Sequence, residues 1–334
     1  MRKKLLTAAV ATTMLAAPAH AIAQEGANPV EFDFYGSLRL QGEGVSPDNH
    51  DSYSGVRDAY SRFGFIGTAP LAPEVDAFAQ LEIPLDLANG KVQDPFNTAD
   101  EDIRIAKVGL DTEFGTFAYG RDWLPYYNAI AFPVDMFNSY QSGYATYAGF
   151  RESDTLFYYS PDINGFSVGA AYTTDGANED NPFQLTASYA FGDTTLALGL
   201  QDANDDADNR DWGLSAMHSF GALSLAAKVE YRESDIDAID GDTAANIFAS
   251  YTVDQHTIKA MYANVDGWGG DFVHLGYDFQ FSDALLLFAE YYHESEDDDI
   301  GSGAIPIEKA RDTGDGNIVG DTGDAFIIGM HYSF

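Results

Sequence analysis

From Phe32 onward the chain is written with period two. In segment after segment of roughly eight to eleven residues, apolar and polar side chains alternate, as the two faces of a β-strand require, and a tilted strand of that length crosses a bilayer. Phe32, Phe34, Gly36, Leu38 and Leu40 fall on one face, while Asp33, Tyr35, Ser37, Arg39 and Gln41 fall on the other. Phe183, Leu185, Ala187, Tyr189 and Phe191 repeat the pattern, as do Leu223 to Tyr231 and Phe326 to Phe334. The segments at 154–160 and 284–293 keep it imperfectly, and sixteen candidates can be counted in all.

The links between segments narrow the choice further. Short ones at 68–74, 112–113, 192–194, 221, 254–255 and 282–283 alternate with long polar ones at 42–60, 84–102, 202–211, 233–244 and 294–324. An up-and-down barrel gathers its tight turns at one end and its large loops at the other; a sandwich has no reason to segregate them. The polar face carries Arg39, Lys228, Glu230 and Arg232, and sixteen strands enclose more space than side chains fill. Aromatic residues crowd the strand ends, as interfacial girdles do. The expected fold is all-β: a transmembrane antiparallel barrel, apolar face to lipid and polar face to an aqueous lumen.

The N-terminus reads as an address. Arg2, Lys3 and Lys4 precede an apolar run from Leu5 to Ala17, and small residues at Ala19, Ala21 and Ala23 offer cleavage sites. This is the pattern of a secretory signal peptide, 1–23, with the barrel domain expected over 24–334. The run is too short for a helix spanning roughly 30 Å of hydrocarbon, and no later stretch reaches ~18 apolar residues. Removing the peptide leaves 14 basic residues against 53 acidic ones. That balance excludes a basic nucleic-acid footprint, and the absence of cysteine excludes disulfides, thiolate metal sites and cysteine nucleophiles.

One interval breaks the alternation. Residues 121–151 carry Trp123, Tyr126, Tyr127, Phe132, Phe137, Tyr140, Tyr144, Tyr147 and Phe150 and few charges. A loop with that much aromatic surface would aggregate if it stood in water. It is expected to fold into the lumen and pack on the wall, narrowing the passage; folding over the mouth as a cap is the alternative.

Several of these pieces, in this order, resemble the general porins of the Gram-negative outer membrane. They are Tyr35-Gly36; Ser61-Arg62-Phe63-Gly64-Phe65; Val108-Gly109-Leu110; Phe114-Gly115-Thr116-Phe117 leading to Tyr119-Gly120-Arg121; Pro133-Val134-Asp135-Met136-Phe137; Ser160-Pro161; Asn164-Gly165-Phe166; and the terminal Tyr332-Ser333-Phe334. The resemblance spans essentially the whole mature chain. It implies localisation to the bacterial outer membrane, a homotrimer of sixteen-stranded barrels, and a third loop forming an eyelet. It also implies a transverse field, with Arg39, Arg62, Arg104 and Arg151 on the wall facing the loop acid Asp135. Arg121, which opens the loop, is placed with that cluster, although for each arginine the plainer role is a lumen charge paired with a nearby carboxylate. Tyr332 and Phe334 resemble the family's C-terminal signal, read by the barrel-assembly machinery during biogenesis. Two positions depart from the pattern: Ile66 where an inward lysine is common, and Ser139 where some relatives have a second loop acid.

The function expected is passive diffusion of small hydrophilic solutes and ions. Acidic runs at 202–211, 233–242, 294–299 and 312–324 fall in long loops, where they give either an electronegative, cation-preferring vestibule or a plain solvated surface. The stretch 312–317 has some likeness to a calcium loop but lacks its spacing and terminal Glu. No cofactor or metal is expected. His50, His218, His256, His274, His293 and His331 are scattered, and no nucleophile-elbow or zinc-helix motif occurs, which argues against an enzyme. The alternatives are a substrate-specific channel, in which Tyr126, Tyr127, Tyr140 and Tyr144 stack on sugar rings, or a non-conducting adhesin barrel.

Overall fold

The computed structural model describes residues 30–48, 51–92, 103–141, 145–174, 181–266, 270–295 and 322–334. The segment expected to be a signal peptide, 1–23, lies outside the described residues.

The strands, in chain order, are β1 (Glu31–Pro47), β2 (Tyr53–Asp58), β3 (Ser61–Ala72), β4 (Val75–Leu85), β5 (Ile105–Thr112), β6 (Gly115–Trp123), β7 (Arg151–Tyr159), β8 (Phe166–Thr173), β9 (Phe183–Phe191), β10 (Thr194–Asp202), β11 (Arg210–Phe220), β12 (Leu223–Glu233), β13 (Thr243–Val253), β14 (His256–Val265), β15 (Asp271–Gln280), β16 (Leu285–Ser295) and β17 (Gly323–Ser333). From β3 onward each pairs antiparallel with its chain neighbour. β1 pairs with β17 on one side and with β2 and β3 on the other, which closes the sheet. β2 and β3 are two halves of one strand, so the 17 segments make a closed barrel of sixteen strands. The break between them falls at Ala59 and Tyr60, the latter at φ 70°.

The faces sort as the alternation demands. In β17, Ile327 is 2% exposed and its neighbour Ile328 is 68% exposed, so side chain type does not decide burial; parity does. Phe326, Met330 and Tyr332 share the outward face with Ile328, as Leu185, Tyr189 and Phe191 do on β9. An apolar exterior of this kind is stable only against lipid.

The turn end is tight: 73–74, 113–114, 160–165, 192–193, 221–222, 254–255 and 281–284. At 164–165 the sequence Asn-Gly takes φ 56° and 90°, the paired positive dihedrals that a two-residue hairpin turn requires. The other end holds the longer loops, with one correction. The expected long link 42–60 shrinks to 48–52, because β1 runs to Pro47 and β2 starts at Tyr53. Its polar residues read as loop only because the lumen is polar: Glu43 and Arg57 face inward and pair at 2.9 Å. The imperfect segment near 154 becomes β7, its alternation interrupted where Asp154 takes φ 52°.

The closing β1–β17 seam is extended by Phe334. Gly36 N–H donates to the Phe334 carbonyl at 2.9 Å, and Phe334 N–H donates back to Gly36 O at 3.1 Å. The Phe334 ring lies over Gly36 so closely that a Cβ there would sit 2.5 Å from it.

Candidate functional site

Between β6 and β7 the chain leaves the wall at Leu124, whose N–H donates to Phe150 O at 2.9 Å and closes the base of the excursion. The outgoing limb contains a π-helical turn, Tyr127–Ala131, and a 3-10 turn, Phe132–Val134. Tyr126 N–H donates to Gln184 on β9 at 2.9 Å. Ser215 on β11 donates to Ala129 O at 2.7 Å, and Lys259 on β14 to Met136 O at 3.0 Å. Asn138 and Ser139 then present their N–H groups to the two oxygens of Glu290 on β16, at 2.8 and 3.1 Å. Tyr140 N–H donates to Gln41 on β1 at 2.7 Å.

The returning limb is held on β12 and β10. Lys228 Nζ donates to Ala145 O at 2.7 Å, and Thr146 Oγ1 and Tyr147 N–H donate to Glu230 at 2.6 and 2.7 Å. Gln201 Nε2 donates to Tyr147 O at 2.7 Å. Every one of these wall groups stands on the face opposite the lipid-facing apolar residues, so the loop lies against the inner face of the barrel. Tyr126, Ile130 and Tyr140 are fully buried there and Tyr127 nearly so, which covers three of the four rings read as possible sugar platforms. Tyr144 lies outside the described residues.

The expected charges converge on Tyr127. Its hydroxyl donates to Asp135 at 2.5 Å; burial first, then the Asp135 carboxylate, push it well above its ordinary pKa, while Arg151 and Arg104 oppose them. It therefore remains a donor. Arg104 Nε donates to Glu82 on β4 at 2.9 Å, and Arg62 stands 3.6 Å from the same carboxylate. Arg39 donates to Ser37 at 3.2 Å and is within electrostatic reach of Arg62, Arg104, Glu82 and Asp135. Arg151 lies 4.7 Å above the Trp123 ring, with Arg104 at 5.8 Å. The structure thus gathers Arg39, Arg62, Arg104, Arg151 and Asp135 in one place. Arg121, at the end of β6 where the loop begins, donates to Ser153 Oγ on β7 at 3.3 Å. Tyr332 and Phe334 stand on the outward face at the seam, their rings 6.2 Å apart.

Sequence reasoning missed Glu82, which shares Arg62 and Arg104, and the anchors Lys259 and Glu290; it placed Gln41, Lys228 and Glu230 on the polar face without giving them the loop as a partner. Inward parity in an otherwise apolar strand was the available signal. Ser139, at the place of a second loop acid, is buried and gives only its N–H to Glu290. In the acidic run 202–211, Asp202 pairs with Arg210 and Asp211 with Arg232, both at 2.7 Å. The stretch 312–317 lies outside the described residues. Among the described residues no group of three His, Asp or Glu side chains is arranged to hold a metal.

Comparison with known proteins agrees with this geometry. The family model described as Gram-negative porin matches residues 6–299. The "Monosaccharide porin" of Halomonas sp is 26% identical, with 100% of this chain and 91% of the relative covered. "Outer membrane porin F" of Salmonella typhimurium is 25% identical over 68% of each. Among solved structures, the "Anion-selective porin from Comamonas acidovorans" superposes with a TM-score of 0.74 at 20% identity, covering 91% of this chain and 100% of that one. OmpT of Vibrio cholerae in its "trimer form" gives 0.63 at 17% identity, covering 91% and 99%. The fold is that of outer-membrane channels rather than enzymes. The matched span, the closed barrel and its lipid-facing exterior together make this chain an outer-membrane protein that belongs to the Gram-negative porin family.

Proposed function

We propose that the barrel is a water-filled pore through which small hydrophilic solutes and ions diffuse down their gradients, sieved between the 124–150 loop and the arginine wall. The observation that carries this reading is the division of the lumen. The loop is tied mainly to β9–β16, whereas Arg39, Arg62 and Arg151 stand on β1, β3 and β7 and Arg104 just precedes β5. Asp135 and Tyr127 reach from the loop toward that wall. A field across the passage orders water and dipolar solutes without binding them tightly.

Ion preference is assigned to the mouths. The narrowing holds four arginines against Asp135 and Glu82 and on its own favours anions. The chain as a whole has 53 acidic and 17 basic residues, and this surplus lies largely in the long loops. Cation preference follows from the loops, acts over about 8–10 Å at ordinary salt, and weakens as salt rises. The working unit is a homotrimer, as the form of the OmpT relative supports. The chain is exported by the peptide 1–23 and delivered to the outer membrane through its terminal Tyr332 and Phe334.

Single-channel recording of the mature protein under a KCl gradient tests the reading. Stepwise conductance in triplets is expected, with a cation-selective reversal potential that moves toward zero as salt is raised. Folded protein that never conducts would overturn it, and anion preference at low salt would overturn the assignment to the mouths.

A further inference from the structure

Most of the loop's aromatic surface is packed away, but two rings are not. Phe132 is 41% exposed and Phe150 is 37% exposed, although Tyr126, Tyr127, Phe137, Tyr140 and Tyr147 of the same segment are buried. They flank Tyr127, with centroids at 6.3 and 5.1 Å, and Trp123 stacks on the same ring at 4.6 Å. These contacts put the two open rings in the lumen, beside the hydroxyl around which Asp135, Arg104 and Arg151 gather. Arg62 is within electrostatic reach of that same hydroxyl and keeps a quarter of its side chain exposed.

Apolar surface left open beside a cluster of charges in an aqueous passage is unfavourable unless something covers it. Water gains nothing from a phenyl face, and a bare anion is drawn by the arginines alone. A solute with both features meets both halves of the site: a ring face lies on Phe132 and Phe150, and a carboxylate reaches a planar guanidinium, the geometry arginine pairs with best. Packing of that ring against the two phenyl faces adds contact area and favourable ring geometry.

We propose that the constriction contains a subsite for carboxylates borne on a ring with an apolar face, the shared chemistry of aromatic acids and sugar acids. The inference rests on the pore reading above. The acidic mouths do not bar such solutes, because the field of the loops decays over about 8 Å at physiological salt while the arginines act at contact.

The test is current block in single channels at fixed KCl. Benzoate and glucuronate are the probes; acetate supplies a carboxylate without a ring, and benzyl alcohol a ring without a charge. Concentration-dependent transient block by benzoate, glucuronate or both, and not by either control, is the expected result. Block by benzoate alone assigns the site to aromatic acids, and block by glucuronate alone to sugar acids. The doubly substituted Phe132→Ser, Phe150→Ser protein should weaken block about tenfold, measured in channels that still open in KCl. Arg62→Gln should weaken it as well. Equal block by acetate, or no block in a conducting channel, overturns the subsite. Absence of any KCl conductance instead overturns the pore reading on which it depends.

Discussion

Replacing Glu290 by alanine should free the middle of the inward loop while leaving the barrel standing. The carboxylate accepts the N–H groups of Asn138 and Ser139, is 3.1 Å from His274 Nε2, and lies 3.4 Å from Lys259 Nζ. It is buried, so its loss strands two backbone donors. Removing one member of a buried, hydrogen-bonded ionic group costs about 3–5 kcal/mol. Lys259 keeps Asp278 at 2.9 Å and Met136 O at 3.0 Å, and lumen water can reach the stranded amides, which places the effect at the lower end. Local opening should then rise by about two orders of magnitude, at roughly 1.4 kcal/mol per decade. Hydrogen exchange of peptides covering 136–141 reads this directly. Exchange in the β15–β16 ladder should not change, because the backbone register Asp271↔Ser295 to Gln280↔Leu286 does not involve the side chain. Glu290→Gln, which keeps one acceptor, should fall between. Unchanged protection at Asn138 and Ser139 in the alanine variant would refute the claim that this carboxylate holds the loop.

Gly36→Val should lower the temperature at which the barrel loses its heat-modifiable mobility, through an overpacking cost of about 1–3 kcal/mol at the seam. Gly44→Val, on the same strand with nothing within 4 Å of its Cβ position, should not lower it. Asp135→Asn should reduce the cation-to-anion permeability ratio about tenfold at low salt, about threefold from each ion, the worth of a unit charge some 6 Å from the ion path in a water-like medium; an unaltered reversal potential would remove Asp135 from the field. Burial and the Asp266 carboxylate hold Asp242 above the usual carboxylate range. The folded loop therefore binds that proton more tightly than the unfolded chain, and its contribution is present at acid pH and lost as pH rises through the raised value. Asp242→Asn should abolish this pH dependence of exchange over 234–242, and a dependence that survives would assign it to another group.

The barrel was legible because a lipid-facing wall forces one face to be apolar along its whole length: Phe183 to Phe191 and Phe326 to Phe334 declare their parity without reference to any partner. Where the lumen face is itself polar, that contrast fades into loop composition, and Glu43 and Arg57 read as part of a link. The break at Tyr60 was equally hidden, since its reason is tertiary: its ring stacks on Tyr140 at 5.3 Å and its hydroxyl donates to Tyr140 O at 2.9 Å. In the site, Arg39, Arg62, Arg104, Arg151 and Asp135 were legible as candidates through resemblance, with parity supporting Arg39 alone. Glu290 was not, because its contacts with Asn138 and Ser139 join residues more than 150 positions apart in the chain. No local pattern encodes such a distance.

The inward loop is gripped chiefly by its main chain. Glu290, Glu230 and Gln41 hold amide groups, and Lys228, Lys259 and Gln201 hold carbonyl groups. Peptide groups are common to every residue type except for the amide missing in proline, so the path of the loop is written in the wall rather than in the loop. Its lumen-facing side chains can be exchanged while the trace stays put, which lets one scaffold acquire a different sieve by changes confined to a few solvent-facing positions, and lets an engineer attempt the same.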